Sequence, residues 1–328
     1  MEKAEKSNID LLNDCDNFPY YETDPGLYDA ALDRLYTLQV ADDDTILGFV
    51  LPAVAEVLRG LAAWTLSDDD HSLVLTSGST EAERTAIIAQ TTAAMRETGH
   101  FQVLAGWRNE LYPVYGRDGA LLFKIERAAS PLFGVVSYGV HMTAYVQTGG
   151  EDGAGGYRFW VPRRARTKQT YGGLLDNTVA GGLAAGEKPS EALVREAQEE
   201  ASLPAELVRT RARAVGNVSY FLVRDERAGG ETGLLQPESQ YVYDLELPED
   251  VVPRPNDDEV ESFALLSTEE VRVALRRGEF KPNCALVMLD FFVRHGILTP
   301  ENEPDYLEIV SRLHRRFEFP TVRLPGVL

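Results

Sequence analysis

Cysteine is scarce in this 328-residue chain, which has only Cys15 and Cys284, far apart in sequence. Two isolated cysteines make neither a disulfide framework nor a paired zinc pattern, and they fit a reducing compartment. Long apolar runs are missing too. The greasiest stretch, 46–66, is broken by Pro52, Glu56 and Arg59, so no segment reads as a bilayer span. Positive charge is in deficit: 32 Lys+Arg stand against 52 Asp+Glu, for a net charge of −20. Such acidity argues against general binding to nucleic acid or to anionic membranes. It also means that an anionic ligand would need a local basic patch. The opening MEKAEKSNIDLLNDCDN has neither the apolar core of a secretion signal nor the Arg-rich, acid-poor character of a transit peptide. The expectation is a cytoplasmic protein. What is present, 44% hydrophobic and 26% charged residues, is the composition of a globular chain long enough for one large domain or two ordinary ones.

Apolar residues recur near helical spacing at Leu32, Leu35 and Leu38, and again at Leu47, Val50, Leu51, Val54, Val57, Leu58 and Leu61. With a further helix over 81–99, the first hundred residues read as mainly helical. A hairpin follows, strands 111–115 and 121–125 around Gly-Arg-Asp-Gly. The next strands, 138–147 and 157–161, flank GGEDGAGG, whose composition predicts a mobile loop. Strands and helices then alternate. Ser267-Thr-Glu-Glu270 is a capping-box signature for a helix start, and helices are expected over 283–295 and 305–316. The division expected is 1–132, a smaller helical and hairpin domain able to act as a substrate lid, and 133–328.

The most informative segment is GGLAAGEKPSEALVREAQEEASL, residues 181–203. On a helix, Glu196, Glu199 and Glu200 lie at i, i+3 and i+4 on one face, where like charges repel. A hard cation such as Mg²⁺ turns that repulsion into coordination and commonly bridges to phosphate. A merely solvated acidic face is the plainer alternative. Just upstream, 153–175 holds Arg158, Arg163, Arg164, Arg166 and Lys168 and no acidic residue, a local reversal suited to a diphosphate. His141, in an alternating strand, is more often a core residue than a catalytic one. Trp107 and Tyr171 could stack on a flat ring, Asn177 could bind substrate or shape a turn, and Cys284 reads as packing.

Gly181, five residues, Glu187, seven residues, Arg195-Glu196, an apolar residue, any residue, Glu199-Glu200 and the apolar Leu203 together resemble the Nudix box. All six glycine or charged positions up to Glu200 match, and Ser202 stands where the family has glycine. The resemblance implies an α/β (α+β) Nudix sandwich with a mixed sheet. It implies Mg²⁺, or alternatively Mn²⁺, held by Glu196, Glu199 and Glu200. Arg195 and Glu187 would orient those carboxylates, and Gly181 would allow close backbone approach. The general base stays open among Glu199, Glu200, Glu238 and Glu259. Arg163, Arg164, Arg166, Lys168, Asn177, Gly181, Tyr171 and His141 are the candidate substrate residues.

GWRNELYPVYG (106–116), IERAASPLFGVVSYGVHMTAYV (125–146), WVPRRARTKQTYGGLLDNTVAGG (160–182), LLQPESQYVYDLELP (234–248) and EFKPNCALVMLDFFVRHGIL (279–298) are similar to one Nudix subgroup, described as related to thiamine pyrophosphokinase. That similarity implies hydrolysis of thiamine diphosphate, preferentially its damaged oxo and oxy forms, to monophosphate and phosphate. A nucleoside diphosphate derivative is the alternative substrate. An isomerase would need cysteine and histidine chemistry that the box region lacks, and a non-hydrolytic binding module would not need the intact carboxylates. The partners expected are a small-molecule diphosphate, no nucleic acid and no membrane, with a homodimer left open.

Overall fold

The computed structural model describes residues 4–148 and 156–322. The loop expected to be mobile, apart from Gly156, lies outside them. The first part of the chain runs α1 (Asn8–Asn13), α2 (Pro25–Leu32), β1 (Tyr36–Val40), β2 (Asp43–Val50), α3 (Pro52–Leu58), β3 (Trp64–Ser67), β4 (Ser72–Leu75), α4 (Glu81–Glu97), β5 (Leu111–Tyr115), β6 (Leu121–Glu126) and α5 (Ser130–Phe133). The helix and the hairpin expected over 81–125 are present. The expectation of a mainly helical region is corrected: a four-stranded sheet, β2-β1-β4-β3, stands beside the helices. The run from Leu47 to Leu61 divides, with Leu47 and Val50 in β2 and Val54, Val57 and Leu58 in α3. The break falls at Pro52, whose ring fits the first helical turn and bars the residue before it from helical geometry.

The second part runs β7 (Ser137–Thr148), β8 (Gly156–Arg164), β9 (Val179–Gly182), α6 (Pro189–Ala201), α7 (Ala205–Arg211), β10 (Arg213–Val223), β11 (Leu235–Glu246), β12 (Val260–Ser267), α8 (Thr268–Arg276), α9 (Pro282–Arg294) and α10 (Tyr306–Arg312). Its sheet has the order β10-β11-β7-β8-β12, with β9 paired to the first half of β7. β7 and β11 are parallel and the other pairs antiparallel, so the sheet is mixed. Successive strand residues face opposite ways. Tyr220 and Val242 join the core under α9, while Phe221 and Tyr243 join the core under α6 and α7. The result is an α/β/α sandwich.

Two features tie the parts together. Leu11, Leu12 and Cys15, in and just after α1, are buried in the α9-side core, so the first helix packs with the sandwich. Asp16 accepts from Phe221 N at 3.0 Å and from Arg315 Nη1 at 3.1 Å. Arg315 also donates to the carbonyls of Phe18 and Pro19, at 2.6 and 2.9 Å, which fastens both chain ends across β10. The described residues contain no helix long and apolar enough to cross a membrane.

Candidate active site

α6 starts with Pro189 at a first-turn position, where its missing N–H costs nothing, and stops at Ser202. Ser202 adopts φ 55°, ψ 26°, the left-handed conformation that the glycine of the box would supply. Its N–H reaches the carbonyls of Ala197 and Gln198, so the helix ends where the box requires, at the cost of a strained serine.

On this helix Arg195 organises the acidic face. Its Nε and Nη2 donate to the two oxygens of Glu187, at 3.0 and 3.1 Å. Its Nη1 donates to Glu196 at 2.7 Å and to Glu199 at 3.2 Å. Glu200 turns the other way, is buried, and accepts from Ala180 N on β9 at 3.0 Å. Burial raises the pKa of both Glu196 and Glu200, and the Glu196 charge adds to the rise at Glu200. Gly181 leaves Glu196 the space beside β9, because a Cβ there would overlap the carboxyl group.

Glu196 and Glu200 border a cavity of about 210 Å³ that also reaches the first turn of α9. Glu199 does not line it, and its side chain is 52% exposed. Among the described residues no three His, Cys, Asp or Glu side chains converge to hold a metal ion as they stand. The Arg195 guanidinium stands between Glu196 and Glu199 and bonds both. The donor set still fits a hard divalent cation: two desolvated carboxylates in one cavity carry oxygen ligands, and the Glu196 charge weighs on Glu200.

The basic stretch splits. Arg164 and Lys168 line the cavity, as do Tyr171, His141 and Gly181. Arg163, Arg166 and Asn177 do not. Arg163 donates to the Gly173 carbonyl at 2.7 Å, and Arg166 lies exposed, 3.6 Å from Glu261. Asn177 stands behind His141, its Oδ1 2.7 Å from His141 Nδ1. With Asn177 Nδ2 turned to the Cys284 carbonyl, that oxygen accepts, so His141 carries its proton on Nδ1. Burial, reinforced by Lys281, lowers the His141 pKa and keeps the ring neutral. Arg164 pairs with Asp176 at 2.5 Å. Burial alone would raise the Asp176 carboxyl, but Arg164 and Lys281 hold it well below the usual range.

Several cavity residues besides the base candidates Glu238 and Glu259 escaped the sequence reading. The β5–β6 hairpin and the turn before it bring Arg108, Tyr112 and Arg127 to the α6 end. Arg127 donates to Glu110 at 2.8 Å, and Tyr112 stands over Gly182. Glu259 pairs with Lys168 and, at 2.9 Å, with Arg108. Burial works against its ionisation, but these two cations outweigh burial and draw its pKa to about 2. At the far end, Tyr220, Glu238, Gln240 and Asn283 form a hydrogen-bonded group. Spread over β5, β10, β11, α9 and the turns beside them, these residues left no local spacing to read.

Family comparisons match this geometry. A NUDIX domain model covers residues 144–284, and the model of a domain of unknown function, DUF4743, covers 29–137. The chain carries a Nudix hydrolase domain. Over 290 residues it is 40% identical to the uncharacterized protein YJR142W of Saccharomyces cerevisiae, covering 85% of this chain and 83% of that protein. It is 39% identical to Nudix hydrolase 20, chloroplastic, of Arabidopsis thaliana over 71% of this chain, and spans 59% of that relative's length. Nudix hydrolase 24, chloroplastic, of the same plant is also 39% identical and likewise 59% spanned. Among solved structures, DR0079 from Deinococcus radiodurans aligns over 63% of this chain and all of its own, with 20% identity and a TM-score of 0.38. Nudix hydrolases as a group generally use divalent metal ions, typically Mg²⁺.

Proposed function

We propose that this Nudix domain hydrolyses thiamine diphosphate, preferentially its oxo and oxy forms, to the monophosphate and phosphate, with Mg²⁺. The observation that carries the reaction is the desolvated pair Glu196 and Glu200 bordering a cavity that also holds Arg127, Arg164 and Lys168. The thiamine substrate rests on the similarity of the strings quoted from 106 to 298.

Glu196 and Glu200 would hold the cation inside the cavity, and Glu199 would join only by leaving Arg195. When bound, Mg²⁺ would offset diphosphate charge and make water a stronger acid. Arg195 positions Glu196 through its fork, itself fixed by two bonds to Glu187. Lys168 and Arg108 offer positive charge to the phosphates once Glu259 releases them. Water oxygen bonds to the terminal phosphorus as the bridging P–O bond breaks, and the bridging oxygen leaves with the monophosphate. Glu259, drawn to about 2 by its partners, is a weak base while they hold it.

The test is a panel of thiamine, oxothiamine and oxythiamine diphosphates, ADP and ADP-ribose, read by product analysis. Faster turnover of the oxidised thiamine diphosphates than of the nucleotides is expected. A preference for the nucleotides would replace the thiamine reading with the nucleoside diphosphate one.

A further inference from the structure

At the cavity end away from α6, three donors converge on one carboxylate. The Tyr220 hydroxyl and Gln236 Nε2 donate to Glu238, and Gln240 Nε2 donates to it at 2.7 Å. Asn283 Nδ2 donates to the Tyr220 oxygen at 2.9 Å, so the hydroxyl proton is left for Glu238. The arrangement fixes the Gln240 amide: its nitrogen is committed, and its oxygen points the other way. That oxygen is buried and has no hydrogen-bond partner among the described residues. Gln240 as a whole is 5% exposed, and it lines the cavity. Buried acceptors are rarely left without a donor, because desolvation goes uncompensated.

The oxygen lies over Gly139. A Cβ on Gly139 would overlap it and would stand 2.7 Å from the Gly181 carbonyl, so the floor at this point is bare backbone. Leu222 and Tyr171 also line the cavity. Gln240 is in register with Gly139, and Gly139 with Gly182 on β9. The Gln240 backbone is therefore two strand spacings, roughly 10 Å, from β9, and its side chain reaches back over the strand between them.

We propose that Gln240 Oε1, locked by Glu238 and set over Gly139, is the specificity determinant of the site and accepts a hydrogen bond from an N–H on the edge of a planar heterocycle. The proposal rests on the diphosphatase reading and adds what the ring must carry. Substrates presenting an amino group or a ring N–H are selected; isosteres without one leave the oxygen unpaired and are rejected.

Three diphosphates test this: thiamine diphosphate with its amino group, oxythiamine diphosphate with its ring N–H, and the 4′-deamino analogue with neither. On the wild-type protein the first two should exceed the third in kcat/KM by roughly 100-fold, the upper end of the penalty for leaving one buried acceptor unpaired. Gln240→Met should bring the ratio close to one by slowing the first two. The wild-type comparison needs no variant and stands if Gln240→Met fails to fold. Equal turnover of all three by the wild type would overturn the inference alone, leaving the orphan oxygen to a water molecule. No turnover of any of the three, with nucleotides hydrolysed, would overturn the thiamine reading and this inference with it.

Discussion

Gly181→Ala separates the site from the fold. The added methyl group would overlap the Glu196 carboxyl at Cγ, Cδ and one oxygen. Ordinary contact between carbon atoms is roughly 3.5–4.0 Å, so the carboxyl must retreat by more than ~1 Å. It cannot do so freely, because Arg195 Nη1 holds it at 2.7 Å and is itself held by Glu187. A displacement of about 1 Å at a reacting centre costs on the order of 100-fold in rate, equivalent to about 2.7 kcal/mol. Overpacking at a partly buried edge strand should cost about 1–3 kcal/mol of stability. The comparison variant is Gly60→Ala, at φ +79° with nothing within 4 Å of the new methyl group. It should lose about 1–2 kcal/mol through left-handed strain alone and keep its rate. Phosphate release and thermal melting on both variants give the answer. Wild-type turnover in Gly181→Ala would refute the role given to Glu196 and to the glycine beside it.

Two further outcomes follow from single residues. Ser202→Gly should relieve roughly 1–2 kcal/mol of left-handed strain against about 0.5–1 kcal/mol of added chain entropy, so the melting temperature should rise by roughly 1–2 °C; a fall would show that Ser202 is not strained. His141 is buried neutral with a lowered pKa, whereas in the unfolded chain it titrates near its ordinary value. The unfolded state therefore binds more protons as pH drops below about 6.5, and the His141 contribution to stability declines there by up to about 1.4 kcal/mol per pH unit. Denaturant midpoints between pH 7.5 and 5 should show this slope flattened in His141→Gln, and identical slopes would contradict the burial argument.

The box was legible because its information is local. A three- and four-residue spacing sets Glu196, Glu199 and Glu200 on one turn whatever the rest of the chain does. Even so, which carboxylate faces the cavity depended on the packing of α6 against β9, and Glu199 turned outward. The basic stretch divides for a related reason. Arg163 and Arg164 are strand neighbours and must face opposite ways, so only Arg164 could enter the cavity. Arg108, Tyr112 and Arg127 lie more than fifty residues before the box, on a hairpin whose sequence speaks only of its own turn. The four-stranded sheet near the start was hidden because a short apolar run carries the same spacing in β2 and α3 as in a continuous helix, and only Pro52 marks the break.

The central claim is that Glu200 and Glu196 hold a cation that drives diphosphate hydrolysis. Its most direct test is phosphate release from oxythiamine diphosphate by the wild type and by Glu200→Gln, each with Mg²⁺ and with EDTA. The expected result is turnover that needs Mg²⁺ and falls at least ~100-fold in Glu200→Gln while the variant stays folded. Release that persists in EDTA, or an undiminished rate in folded Glu200→Gln, would contradict it.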